Sequence, residues 1–250
     1  MNPFQRIKVI GRTYRHLRRY KEILGVLLKY GFGDVLQRLN VQKYLEFDSE
    51  LFSVKPLERA LSLTTWERVR MICEELGPSF IKAGQILSSR PDIVPADLAR
   101  ELEKLQDRVS PFPAEEVRSI IEQEFSSPLS ALFREFDDEP VASASIAQVH
   151  RAITLDGDVV AVKIRRPGIR STILADIDIL YHLASIVEKY VLNTHSVSPT
   201  VMVEEFASAI EKELDFTREA ANARRFARIF QSNEKIYVPQ IYQELSTDKV

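Results

Sequence analysis

Two runs rich in strand-forming residues, 147–155 and 158–165, meet at Asp156-Gly157, a dipeptide that favours the tight turn of an antiparallel hairpin. They commit this part of the chain to a β-sheet, with a third strand expected over roughly 137–143. Side chains alternate faces along a strand, so Val160, Val162 and Ile164 point one way and Val159, Ala161 and Lys163 the other. A single lysine then shares its face with a small alanine. A flat adenine fits over Ala161 with its phosphates near the Lys163 ammonium, a compact charge able to pair with phosphate. The competing reading is a strand lysine that only meets solvent.

The flanks read as helix. Phe4, Ile7, Ile10, Tyr14, Leu17, Ile23, Leu24, Leu27 and Leu28 recur near helical spacing, with Arg6, Lys8, Arg12, Arg15, Arg18, Arg19 and Lys21 between them. Such a basic amphipathic helix can lie on anionic lipid, or pack on its own protein with a solvated basic face. A break at Gly31-Phe32-Gly33 precedes a shorter helix from Asp34. Thr64 with Glu67 fits a capping box, a helix runs over 66–76, and Gly77-Pro78 ends it before a further helix reaching Pro91. Helices are also expected over 95–109 and 113–125, each with proline in its first turn. Beyond Pro167-Gly168 an apolar stripe from Ile169 to Val191 marks a long helix, with Asp176 and Asp178 assigned to its solvated face. Pro199 opens a helical region reaching Phe230, and a further strand is expected to begin at 238–242.

The resulting fold class is α+β, in three regions: a basic amphipathic segment over 1–60, a helical extension over 61–135, and a mixed region over 136–250 with a helical insert at 168–210. A net charge of -2 excludes a uniformly basic nucleic-acid binder, yet residues 1–45 hold ten Lys or Arg against Glu22 and Asp34. No apolar run approaches the roughly 18 residues that a spanning helix needs. The first residues lack the apolar core and cleavage site of a signal peptide, and the one cysteine, Cys73, allows no internal disulfide. Together these lead us to expect a cytoplasmic chain, peripheral at the inner face of a membrane. Cys73 reads as core packing.

Two further groups could carry chemistry. Carboxylates concentrate at Glu213, Asp215 and Glu219, where a turn near Leu214-Asp215 would let them converge; Asp215 also has the chemistry of a helix cap. Glu219, a helical acid following a lysine-bearing strand, could pair with Lys163. Lys82 and Gln85 fall one turn apart on one helix face, and Gly84 beside them allows another element to approach closely. Solvent contacts are the plain alternative for both side chains.

Phe80 through Asp92, Leu105-Gln106-Asp107, the run 142–150, Val160-Ala161-Val162-Lys163, and Glu213-Leu214-Asp215 through Glu219-Ala220 resemble, in order, the UbiB family of atypical protein-kinase-like proteins linked to ubiquinone biosynthesis. The resemblance implies a protein-kinase-like amino-terminal lobe preceded by an all-helical extension that folds over the active site. It implies that Lys163 holds nucleotide phosphate and Glu219 is its helix partner. By the same resemblance Lys82 and Gln85 carry the extension's signature, met by the paired acids Glu213 and Asp215. Ala142, Ser143, Ala144, Ser145 and Ala147 stand where glycines cover phosphate in ordinary kinases. Each added Cβ narrows the backbone's options at positive φ, so a stiffer nucleotide cover is expected.

ATP with Mg is the implied ligand, with ATPase or small-molecule kinase activity, and quinone-type or anionic lipid the implied surroundings. The catalytic loop and metal aspartate of phosphoryl transfer have no counterpart here. The residues two positions after His16, His150, His182 and His195 are Arg18, Ala152, Ala184 and Val197, and D-x-G does not occur. No metal ligands are therefore assigned, and the chain is expected to be roughly the first half of a family member, inactive alone. Its carboxyl-terminal side is expected to expose apolar surface, inviting a homodimer. The rival function is a non-catalytic membrane-surface or partner-binding scaffold with a vestigial nucleotide pocket.

Overall fold

The structure, a computed structural model, describes residues 17–38, 56–105, 109–191 and 198–250. The chain divides into two compact units, one within 1–106 and 171–207, the other within 107–170 and 208–250. The basic residues from Arg6 to Arg15 lie outside the described residues.

The first unit is helical. Residues 17–29 form α1, followed by α2 (Gly33–Arg38), α3 (Glu58–Leu61), α4 (Thr65–Leu76), α5 (Pro78–Ser88) and α6 (Ala96–Leu102). It also takes in most of α9 (Ile169–Val191) and the first half of α10 (Pro199–Glu213). Thr64 and Glu67 form the reciprocal capping box at the start of α4. Gly77 then adopts φ 86°, a conformation that costs a side-chain-bearing residue, and Pro78 opens α5.

Ile23, Val26 and Tyr30 pack with Ile72, Leu76, Phe80 and Ile179, while Leu24 and Leu28 pack with Leu36 and Ile186. From Ile23 to Leu28 the apolar face of α1 is thus packed on its own protein, while Leu17 at its start stays exposed. Asp176 corrects the expectation of a solvated face. It is fully buried and takes a two-pronged contact from Arg19, Nε at 2.6 Å and Nη2 at 3.1 Å, and that guanidinium also donates to the carbonyl of Leu76 at 2.7 Å. A helix beginning on such a pattern shows one apolar stripe; it does not show that a charged partner from 157 positions away has been supplied. Cys73 packs beside Ile81 and Phe80, and burial pushes its thiol up to about 12.

The second unit holds the sheet. α7 (Ala114–Phe125) and α8 (Leu129–Leu132) lead into β1 (Phe133–Phe136), β2 (Ala142–Ser143), β3 (Ala147–Thr154) and β4 (Val159–Arg165). β3 pairs antiparallel with all three others. Of the strand expected over 137–143 only Ala142–Ser143 forms, because Asp138-Glu139-Pro140 breaks the ladder and proline has no amide hydrogen to give it; β1, at 133–136, lies before the expected strand. Gly157 at φ 95° makes the hairpin turn between β3 and β4. Val117 and Ile121 of α7 bury the inner sheet face against Phe133, Ala152, Val162 and Ile164.

α11 (Phe216–Ile229) follows α10 after a break at Leu214-Asp215. Two other elements also differ from expectation. The helix over 95–109 ends at Leu102, and the segment at 238–242 is extended without ladder pairing, since Pro239 removes a donor, and passes into a short 3-10 turn at Gln243–Leu245.

Candidate functional site

β4 alternates as the sequence requires. Val162 and Ile164 are buried on the α7 side, while Ala161 is exposed and Lys163 half-buried on the other. The α10–α11 break brings Glu219 to that second face, and Lys163 Nζ lies 2.7 Å from Glu219 Oε2. Their side chains keep 37% and 59% of their exposure, so the pair has an open side. The ammonium also stands 4.8 Å from the centroid of the Phe216 ring, a contact that no spacing in the sequence announced.

Asp215 is the N-cap of α11: its Oδ1 accepts from the Thr217 amide at 3.1 Å. Donation from Thr217, outweighing slight burial, holds its carboxyl below the ordinary range. Glu213 closes α10 two positions earlier. Between them the carbonyl of Leu214 accepts from Arg165, whose guanidinium also donates to the carbonyl of Asp248 at 3.0 Å and to its carboxylate at 3.2 Å. Arg165 is buried and sits two residues beyond Lys163, on the same strand face. It fixes the junction from which α11 departs, and sequence reading missed it because its partners are backbone atoms far along the chain.

The loop between β2 and β3 is tied down by Arg166. Its amide donates to the carbonyl of Ile146 at 2.9 Å, and its Nη2 reaches Ser143 Oγ and the carbonyl of Ala144 at 3.3 Å each, and that of Ser110 at 3.0 Å. Burial alone draws the Arg166 guanidinium below its ordinary range. Beneath the loop, Gln148 exchanges two hydrogen bonds with the backbone of Phe112 and approaches His150 Nε2 at 2.9 Å. His150 Nδ1 lies 2.7 Å from the carbonyl of Asp137, so Nδ1 carries the proton and Nε2 accepts from the Gln148 amide. The residues proposed to cover phosphate, Ala142 to Ser145, thus rest on a closed buried network.

Lys82 and Gln85 belong to the helical unit, one turn apart on α5. Gln85 Nε2 reaches the carbonyl of Leu105 at 3.5 Å. Gly84 is buried, and a Cβ built there would stand 2.3 Å from Leu105 Cδ1 and 3.2 Å from Leu102 Cδ2. The glycine is what allows the segment after α6 to lie against α5. Among the described residues no cluster of three or more His, Cys, Asp or Glu side chains could hold a metal ion.

A small antiparallel sheet with a lysine on its open face and a helix acid against it is a protein-kinase-like amino-terminal lobe. The model of the ABC1 atypical kinase-like domain matches residues 104–250, and the chain belongs to the UbiB family of these proteins.

A "Probable protein kinase UbiB" of Marinobacter nauticus is 47% identical over 179 residues, 72% of this chain and 33% of the relative. The protein of the same name in Cellvibrio japonicus is 44% identical over 75% of this chain and 34% of the relative. That of Pseudomonas fluorescens is 39% identical over 94% of this chain and 44% of the relative. The chain therefore spans less than half the length of these curated relatives. A solved structure of Rv3197 with erythromycin, from Mycobacterium tuberculosis, is 31% identical at a TM-score of 0.49, covering 66% of this chain and 41% of that one.

Proposed function

We propose that this chain supplies the nucleotide-holding lobe of an atypical kinase or ATPase that serves ubiquinone, or quinone-lipid, biosynthesis. The observation that carries it is the Lys163–Glu219 pair at 2.7 Å on an open sheet face beside exposed Ala161. The residues fit ATP. Ala161 leaves room for a flat base, the Lys163 ammonium keeps an accessible side for phosphate oxygens, and Ala142 and Ser143 of β2 with Ala144 and Ser145 of the loop after it would form the cover.

Bound ATP with Mg would supply the transferable phosphoryl group and the metal that neutralises its charge. In this reading Lys163 binds the phosphates, Glu219 orients the ammonium, and Arg166 holds the covering loop near its present course. Family membership extends the proposal to Lys82 and Gln85 of the helical unit, and to Glu213 and Asp215 of the unit that holds the sheet. No residue of this chain is assigned to Mg. The link to quinone lipid rests on family membership.

Titration with Mg-ATP tests the reading. Saturable binding that Lys163→Ala and Glu219→Ala each abolish is expected, whereas vesicle binding without any nucleotide binding would leave the scaffold function in its place. We further propose peripheral attachment to anionic membrane through the basic excess in residues 1–45, since no described helix is long and apolar enough to cross a membrane. Co-sedimentation with anionic vesicles should then weaken with salt; salt-independent binding would contradict it.

A further inference from the structure

The ion pair that holds Lys163 is a poor anchor by itself. Glu219 keeps 59% of its side-chain exposure, and pairs so open to water contribute little and fade with salt. The second contact is of another kind. Phe216 is 6% exposed, and its ring centroid lies 4.8 Å from the Lys163 ammonium. A cation over a buried aromatic face is attracted by the ring's quadrupole, and a face turned away from solvent is screened far less than an exposed carboxylate.

The ring is also the better fixed partner. Its own amide donates to the carbonyl of Asp248 at 3.3 Å, and Arg165 grips that same carbonyl and the carbonyl of Leu214 on the preceding residues. Asp215 caps the helix directly after Leu214. Phe216 and Glu219, three apart on α11, stand on neighbouring positions of one helix side and approach the ammonium together. Of the two, the acid is mostly exposed and the ring is buried.

From this geometry we infer that Phe216 is a positioning residue for Lys163: its ring keeps the ammonium at this face of the sheet when Glu219 is screened or turns away, while Glu219 aims the charge at nucleotide phosphate. The inference rests on the nucleotide-site reading above and adds a residue to it. It assigns the carboxylate to direction and the ring to persistence.

The test has two arms on this chain. With isotope-labelled lysine, and Lys163→Arg to identify the resonance, the Lys163 side-chain methylenes next to the ammonium should show an upfield ring-current shift. That shift should persist in Glu219→Gln and at high salt, and vanish in Phe216→Leu. In the second arm, phenylalanines carrying one, two and three fluorines replace Phe216; they keep its shape and drain its face of negative potential. Nucleotide affinity should fall stepwise, by roughly two- to tenfold across the series.

A shift that disappears in Glu219→Gln, or an affinity that ignores fluorination, would overturn the inference. Because the replacements are nearly isosteric, loss of folding does not imitate the stepwise trend. Failure of the unmodified chain to bind nucleotide would refute the nucleotide site, while the shift arm would still decide whether the ring holds the lysine.

Discussion

Removing Arg19 should unfold the helical unit far more easily than an ordinary surface substitution would. Asp176 has no exposed side-chain surface and Arg19 retains 16%, so the pair lies on the buried side of the scale. A surface pair contributes about 0–1 kcal/mol, whereas taking away one partner of a buried pair costs about 3–5 kcal/mol because a charge is left without compensation. Arg19→Met keeps much of the side chain's volume but strands the carboxylate, and also removes a donor from the Leu76 carbonyl at the end of α4.

The expected loss is therefore about 3–5 kcal/mol for Arg19→Met, and about 1–3 kcal/mol for Asp176→Asn, which leaves a neutral group able to accept from the guanidinium. The double variant Arg19→Met with Asp176→Leu should recover most of that loss, to within about 1 kcal/mol of the parent. Trp66, the single tryptophan, sits in α4, so its fluorescence during urea unfolding reports on this unit. A cost under about 1 kcal/mol for Arg19→Met, or one that salt erases, would show a surface pair and refute the reasoning.

Two further outcomes follow from side-chain geometry. Gly84→Ala gains about 1 kcal/mol of helix propensity but drives a methyl group to within 2.3 Å of the present Leu105 Cδ1, an overpacking worth about 1–3 kcal/mol. The net is a loss of about 0–2 kcal/mol, read by the same fluorescence; a clear gain in stability would show that the contact at Gly84 is slack. Glu124 is buried enough to raise its carboxyl, but donation from Lys249 and Thr247 outweighs that and holds it below the ordinary range. A depressed carboxyl adds stability above its unfolded value of about 4.3 and loses it as pH falls through the folded value. Glu124→Gln should thus cost stability at neutral pH, with the difference from the parent closing as pH drops below about 4; a difference unchanged by pH would contradict the pairing.

The parts of this protein legible in its sequence were the local ones. Thr64 with Glu67, Gly77-Pro78 and Asp156-Gly157 each carry their own hydrogen-bonding or backbone requirement, and each terminus or turn formed where that requirement placed it. Strand alternation put Lys163 and Ala161 on one face, and the break at Leu214-Asp215 let α11 bring Glu219 to that lysine.

What escaped was tertiary. Asp176 looked like a solvent-facing acid because its partner Arg19 comes from the far end of the unit. Arg165 and Arg166 bind backbone carbonyls, which every residue possesses and no motif can mark. The stretch at 137–143 was read as one strand because its apolar and small residues outweighed Pro140, and 238–242 because Val238, Ile241 and Tyr242 favour strands; with no neighbour to pair, that preference had no ladder to join.

The account depends most on whether Lys163 and Glu219 bind nucleotide together. Isothermal titration of Mg-ATP into the parent chain and into Lys163→Ala, Glu219→Ala and the double variant measures this directly. Saturable binding in the parent, lost in each single variant and no worse in the double, is the predicted result. Binding that survives Lys163→Ala unchanged, or single-variant losses that simply add, would contradict it.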